Sequence, residues 1–411
     1  MNSEIINVGT ELLTGDTLNT NVQFLSQELS QKGFSVHYHT VIGDNYQRLQ
    51  GVLEQAVQRS QIIIITGGLG PTQDDMTKQT VAAFFDLPLI EDPAETEKIK
   101  KYFNDRHLVF TDNNMQQAFI PEGAKKLENL VGTAPGVMIE KNGIYVFLLP
   151  GPPYEMKKMF THAVLPILTD LAETKVLSHY YNLAGIGESM VEDMLMDIID
   201  GQTNPTIATY AKTGEVLVRL TMSGNDEDRI RQGMAPYEDI IRERLQKYIF
   251  TESRQTLPEF IGKQLIAKGL TIACAESCTG GQLSGELAKI PGISAALKMG
   301  LVTYSNEAKV SLLNVSEGTL EQYGAVSPET CLEMCTHLSV LSGCDIALSV
   351  TGIAGPGGGT ESKPVGLVYI GCHYQGETTV KECHFTGSRE IIQKRVINAA
   401  LNLIRLKVLN R

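Results

Sequence analysis

Ala275-Glu276-Ser277-Cys278-Thr279-Gly280-Gly281 is the stretch on which the reading of this chain turns. Before it, the run from Leu270 to Ala275 reads as a short buried strand. After it, Leu283, Leu287 and Ile290 recur at helical spacing. A strand, a sharp turn of small residues and a helix start present a hydroxyl beside unpaired backbone N–H groups at a positive dipole end. Such a turn suits a nucleophile next to an oxyanion hole. It equally suits a Ser or Thr that only caps the helix. The bare stretch leaves both open.

The chain has 411 residues, too many for one ordinary core, so two or three domains are expected. Its 42% hydrophobic and 20% charged content is that of a globular protein. A formal net charge of −12 argues against a dominant nucleic-acid or anionic-membrane surface. Met1-Asn-Ser-Glu leads straight into strand-like Ile5–Val8, and no apolar run approaches a membrane span. Seven cysteines without paired zinc spacing read as reduced core thiols. A cytoplasmic protein is expected.

From residue 1 to about 170, strand-like and helical runs alternate, the mark of a layered α/β domain. Strands are expected at 3–8, 34–41, 61–66 and 144–149, with helices at 21–32 and 46–59. Ligands of such sheets sit at the carboxyl ends of strands. Three polar stretches fall there: Gly9–Asp16 with Asn21 beyond it, Thr66–Thr77, and Leu149–Glu155. In the second, Gly67, Gly68 and Gly70 let backbone N–H groups approach a phosphate. Asp74 and Asp75 are hard oxygen ligands that could hold a divalent metal against it, or could cap the helix that follows.

Thr66-Gly67-Gly68-Leu69-Gly70-Pro71-Thr72-x-Asp74-Asp75 resembles the glycine loop of the molybdopterin-binding MoaB/MogA-like domain, in the form found in the CinA competence/damage-inducible family. The resemblance covers residues 1–170 and implies metal-dependent hydrolysis of ADP-ribose to AMP and ribose 5-phosphate. It places phosphate binding at Gly67, Gly68, Gly70, Thr72, Glu11 and Asn21, and metal at Asp74 and Asp75. A pterin-binding or non-catalytic site stays open.

Residues 171–252 read as strand, helix, two strands, helix, where the CinA family has a KH-like module. Here 8 Lys and Arg face 14 Asp and Glu, and Gly185-Ile186-Gly187-Glu188 lacks the G-x-x-G clamp of a nucleic-acid-binding KH domain. The module is expected to be a spacer or dimer-building element without RNA contact.

Residues 253–411 carry the opening stretch and three further features, Tyr304, Lys309 and Thr351, each expected just beyond a strand. No His stands in a suggestive motif, and a desolvated Lys can replace it as the base for Ser. The opening stretch, Tyr304-Ser305-Asn306-x-x-Lys309 and Thr351-Gly352-Ile353-Ala354-Gly355-Pro356-Gly357-Gly358 together resemble the CinA C-terminal domain, the PncC-type amidase family. That resemblance implies hydrolysis of nicotinamide mononucleotide (NMN) to nicotinic acid mononucleotide and ammonia, without a cofactor. It implies Ser277 as nucleophile, Tyr304 with Lys309 as base pair, and substrate contacts at Thr279, Gly280, Gly281, Thr351, Gly352, Gly355 and Arg389. Arg395 stays open as the alternative to Arg389, and Cys278 as the alternative to Ser277.

The expected architecture is therefore α/β: a three-layer MogA-like N-terminal domain, a small α+β middle module and an α/β C-terminal amidase domain. Small nucleotides, NMN and ADP-ribose, are the expected partners, with no nucleic acid, no membrane, and a homodimer implied by the family. A non-enzymatic competence or DNA-damage factor that recruits recombination proteins is the alternative.

Overall fold

The computed structural model describes residues 1–172 and 174–409. Residue 173 of the expected middle segment and the last two residues of the expected third segment lie outside the described residues. The chain divides into two compact units, Met1–Leu177 with Ser223–Ile230, and Ser178–Met222 with Arg231 onward. No described helix is long and apolar enough to cross a membrane.

The first unit holds β1 (Asn2–Val8), β2 (Ser35–Ile42), β3 (Ile62–Thr66), β4 (Leu89–Glu91), β5 (Phe119–Pro121), β6 (Lys125–Leu127), β7 (Gly136–Lys141) and β8 (Ile144–Leu149). Six of them form one sheet in the order β2-β1-β3-β8-β7-β6. The first four strands are parallel, and β7 and β6 are antiparallel. Ile62-Ile63-Ile64-Ile65 is apolar without alternation because both faces of the sheet are covered. Ile63 and Ile65 pack with Leu49, Leu53 and Val81 on one side, and Ile62 and Ile64 with Leu25, Leu29 and Phe160 on the other. These are the three expected layers. Asn19 and Asn45 start the two expected helices, Thr20–Gln31 and Tyr46–Arg59, by accepting the N–H groups of Val22 and Arg48.

The β4–β5 ribbon, β6, β7 and the helix Pro93–Asp105 have no counterpart in the sequence reading. Three of those strands have only three residues, too few to show an alternation.

The middle module forms a sheet in the order β10-β11-β9-β12, from β9 (Lys175–Ala184), β10 (Thr206–Lys212), β11 (Glu215–Gly224) and β12 (Ile249–Thr251). It packs on the last domain. The Glu215 carboxylate accepts the Leu257 N–H at 3.3 Å, and Asn398 Nδ2 donates to the Thr213 carbonyl at 2.8 Å.

The last domain is built on a sheet in the order β14-β13-β15-β16-β17, from β13 (Ile272–Glu276), β14 (Leu297–Val302), β15 (Ile346–Gly352), β16 (Leu367–Tyr374) and β17 (Glu377–His384). Central β13 is parallel to both neighbours, while β15, β16 and β17 run antiparallel. Ile272 and Cys274 face the terminal helix Arg389–Lys407, with Val396, Leu401 and Ile404 in that core. Ala273 and Ala275 face Met334 and Leu338 of the helix Pro328–Ser342. Small residues on that side of β13 let the helix approach closely. All seven cysteines are free thiols.

Candidate functional sites in the two units

In the last domain the chain leaves β13 at Ser277, whose N–H donates to Val350 O at 3.0 Å. Gly280 N–H then donates to Ser277 O at 3.1 Å, closing a tight turn. Gly280 and Gly281 have φ of 60° and 92°, a left-handed conformation that favours glycine. Among the described residues, the N–H groups of Thr279 and Gly281 meet no acceptor. Both belong to the turn that carries Ser277, Thr279 wholly buried and Gly281 half-buried.

The turn is held from both ends. Glu276 is wholly buried, and its carboxylate accepts the N–H groups of Leu283 and Ser284 at 2.9 and 2.8 Å and the Ser284 hydroxyl at 2.6 Å. The negative charge sits against the first turn of the helix Gln282–Ala288, the favourable dipole end. From the other side, Gln393 Nε2 donates to Cys278 O at 2.7 Å. Neither residue was singled out from the sequence. Glu276 lies within the quoted motif, but Gln393 gives no local signal.

Lys309 stands on the first turn of the helix Asn306–Leu313, which Ser305 caps by accepting the Ala308 N–H. Its side chain is 1% exposed, and Nζ reaches Ser277 Oγ at 3.2 Å and Thr303 O at 2.9 Å. Burial holds this amine below the ordinary lysine range. Burial pushes the neighbouring Cys278 thiol the other way, up to about 12, so it carries almost no thiolate at neutral pH.

Tyr304 meets this pair through its backbone carbonyl, which accepts from Lys309 Nζ at 3.5 Å, and its phenol is bonded elsewhere. Its ring is exposed, and its hydroxyl accepts from Arg389 Nη2 at 2.7 Å. Arg389 Nη1 donates to Gly355 O at 2.8 Å, so Arg389 ties the glycine loop to the Tyr304 ring. Arg395 is turned elsewhere, donating to the carbonyl and hydroxyl of Thr386. Thr351 is also placed differently from expectation. It lies within β15, buried, and its hydroxyl donates to Ala325 O at 2.6 Å. That hydrogen is spent on the fold. Gly352 ends the same strand, where a Cβ would come within 2.6 Å of the Val368 side chain and 2.8 Å of Leu367 O.

In the first unit the carboxyl ends of β1, β3 and β8 open into a cleft of about 600 Å³. Glu11, Asn21, Gly67, Gly68, Gly70, Asp74 and Asp75 line it. Gly67 has φ of 105°, and a Cβ there would lie 2.0 Å from Val8 O. The N–H groups of Gly68, Leu69 and Gly70 find no acceptor among the described residues. Thr72 turns inward on the loop, its N–H donating to Asp75 Oδ2 at 2.9 Å and its hydroxyl to the same oxygen. Asp75 therefore closes this turn, and neither aspartate caps the next helix, whose cap position is Met76 without a side-chain bond.

Among the described residues no group of three or more His, Cys, Asp or Glu side chains is placed to hold a metal ion. Two carboxylates facing a phosphate cradle still suit a magnesium-like cation that takes its remaining ligands from phosphate oxygens and water. Glu155, from the third polar stretch, also lines the cleft, as do Asn7, Asp44 and Gln117, which were missed since they come from three separate segments.

Three family profiles match: "Probable molybdopterin binding domain" over residues 4–170, "Damage-inducible protein CinA KH domain" over 178–251, and "CinA C-terminal domain" over 254–408. A competence-damage inducible protein of Clostridium acetobutylicum is 47% identical over 100% of both chains. A CinA-like protein of Kosmotoga olearia is 46% identical over 100% of this chain and 99% of its own. The crystal structure of the competence damage-inducible protein A of Klebsiella pneumoniae is 36% identical, with a TM-score of 0.36, over 37% of this chain and 95% of that one. With a MogA-like front domain, a KH-like module and a CinA C-terminal domain in one chain, the protein belongs to the CinA family of competence-damage inducible proteins.

Proposed function

We propose that the last domain is an amidohydrolase acting on NMN, giving nicotinic acid mononucleotide and ammonia. The observation that carries this reading is the buried 3.2 Å contact between Lys309 Nζ and Ser277 Oγ, on a turn whose Thr279 and Gly281 N–H groups meet no acceptor among the described residues. In its neutral form Lys309 takes the Ser277 proton as Oγ attacks the carboxamide carbon. The N–H groups of Thr279 and Gly281 receive the oxyanion, a donor of this kind being worth about 2.7–4 kcal/mol. Lys309 then returns the proton to the departing nitrogen as ammonia, and water attacks the acyl-enzyme to release the acid and restore Ser277. Tyr304 serves as a wall for the pyridine ring, and Arg389 with the Gly355 loop meets the phosphate. Cys278 is too weakly ionised to compete.

The front cleft, in the same proposal, hydrolyses ADP-ribose. The glycine-loop N–H groups hold the diphosphate, and Asp74 with Asp75 would hold a divalent cation, which lowers the pKa of a bound water. Together the two activities would recycle pyridine nucleotides. Ammonia release from NMN tests the back domain. Ser277→Ala and Lys309→Met should each abolish it while Cys278→Ala retains it, and an active Ser277→Ala variant would sink the assignment.

A second reading takes up the relatives' competence-damage inducible names and adds that the protein acts as a factor without enzymatic activity. Wild-type protein that releases neither ammonia from NMN nor AMP from ADP-ribose would support it.

A further inference from the structure

Arg395, which the sequence offers as an alternative to Arg389, lines a cleft of about 510 Å³ between the middle module and the last domain. That size suits a small ligand. Two further cations line it, Lys212 at the end of β10 and Lys381 in β17. Arg395 donates through Nη1 to the carbonyl and hydroxyl of Thr386, which leaves Nε and Nη2 without an acceptor among the described residues. Neither lysine forms a hydrogen bond or an ion pair with a described residue. Two carboxylates also line the cleft, and both are engaged by backbone. Glu188 accepts the Ala211 N–H at 3.2 Å, and Glu215 the Leu257 N–H at 3.3 Å. In a chain of net charge −12, three cations against two engaged carboxylates reverse the sign locally.

Gly185-Ile186-Gly187 forms part of the wall, ahead of the helix Glu188–Ile199. Gly187 holds the cap position without a side-chain bond, and the N–H groups of Gly185, Ile186, Gly187 and Glu188 meet no acceptor among the described residues. Such a helix start favours an anion but does not by itself make a site. Asn402 supplies the independent observation. It is 8% exposed and lines the same cleft. Arg405 Nε donates to Asn402 Oδ1 at 2.7 Å, which fixes the amide and turns Nδ2 the other way. That nitrogen meets no acceptor among the described residues, yet keeps accessible surface. It sits against the Gly185 turn, where a Cβ would come within 2.9 Å of it. A donor buried this far without an acceptor is unfavourable, and a ligand oxygen would satisfy it.

We propose that this cleft binds a small phosphomonoester, its phosphate held between the Gly185–Glu188 turn and Asn402 Nδ2, with Arg395, Lys212 and Lys381 offsetting its charge. Phosphate suits this donor set better than a carboxylate does, since three terminal oxygens can be shared among backbone N–H groups, the amide and the guanidinium. One wall comes from the middle module and the other from the last domain, so an occupant holds the two together. The cleft shares no lining residue with the Ser277–Lys309 site and depends on neither activity proposed above.

Amide hydrogen exchange of residues 185–190 in the full chain, read by mass spectrometry, tests it with three probes: AMP, ribose 5-phosphate and adenosine. Amides without an acceptor exchange fast, so saturating AMP or ribose 5-phosphate should slow this segment at least about fivefold, whereas adenosine should not. Lys381→Glu, at an exposed position, and Arg395→Gln should each remove the protection. Asn402→Leu should remove it as well in protein whose circular dichroism is native. Arg389→Gln should keep it, since that arginine bonds at the other site. Absence of protection by both phosphate esters, or equal protection by adenosine, overturns the proposal. Protection that survives in both Lys381→Glu and Arg395→Gln overturns it too. Loss of protection in Arg389→Gln would assign the effect to the Ser277 site and overturn it likewise.

Discussion

Gln393 Nε2 donates a 2.7 Å hydrogen bond to Cys278 O, joining the terminal helix to the turn that carries Ser277, and Gln393 Oε1 accepts from Gln282 Nε2 at 3.0 Å. The carbonyl it holds belongs to the peptide whose N–H is that of Thr279, a proposed oxyanion donor. Gln393 thereby fixes that donor's direction. Gln393→Leu should lower kcat for NMN deamidation about tenfold, or about 1.4 kcal/mol, with a smaller change in KM. Steady-state kinetics on a variant with native circular dichroism checks it.

Glu276 places a buried carboxylate against three donors, with no basic side chain among the described residues bonded to it. In Glu276→Gln an amide NH2 would confront N–H or O–H groups that also donate. At least one bond is lost and one donor stays buried, which should cost about 1–3 kcal/mol. Denaturant unfolding measures this directly.

Lys309 must be neutral to accept a proton, and burial lowers its pKa from the ordinary 10.5. Below the folded pKa the protonated amine is inactive. The rate should therefore rise about tenfold per pH unit and level off once the amine is neutral. The plateau should begin below the ordinary lysine value. Lys309→Arg should show no active limb, since a guanidinium stays protonated. A pH–rate profile of kcat/KM on both proteins is the test.

Tyr304 has an exposed ring, and its hydroxyl is engaged by Arg389. Tyr304→Phe should keep kcat within about threefold of wild type, whereas Lys309→Met should lose about three orders of magnitude or more. A comparably large loss in Tyr304→Phe would make the phenol part of the base.

Gly67 sits at φ 105° with Val8 O where a Cβ would project. Because that neighbour is backbone of the central sheet, neither partner can yield cheaply. Gly67→Ala should destabilise the first unit by about 1–3 kcal/mol and abolish ADP-ribose binding. Thermal unfolding and calorimetry report the two effects separately.

Much of the layout was legible because its signals are local. Tyr46–Arg59 and Ile144–Leu149 came out with the observed limits, and Ser327 and Ser388 start helices as their side chains suggest. Asp74 and Asp75 misled, since an acidic residue ahead of a helix suits a cap and a tight turn alike. Thr72 lies three residues before Asp75 and takes that carboxylate first. Thr351 misled because its place at the end of a buried strand does not reveal that Ala325, from a distant loop, receives its hydroxyl hydrogen.

The order of residues by itself determined the layered α/β segments, the small-residue turn after β13, the glycine loop after β3 and the membership in one family. Those features depend on periodicity, capping and left-handed backbone, which a few neighbouring residues set. Only the tertiary structure decided that an amine 32 positions from Ser277 reaches it in a buried contact, that the Tyr304 phenol pairs with Arg389, and that none of the described residues lining the front cleft is cationic. Distances between segments and the burial that shifts a pKa arise from packing of the whole chain, and no short stretch carries them.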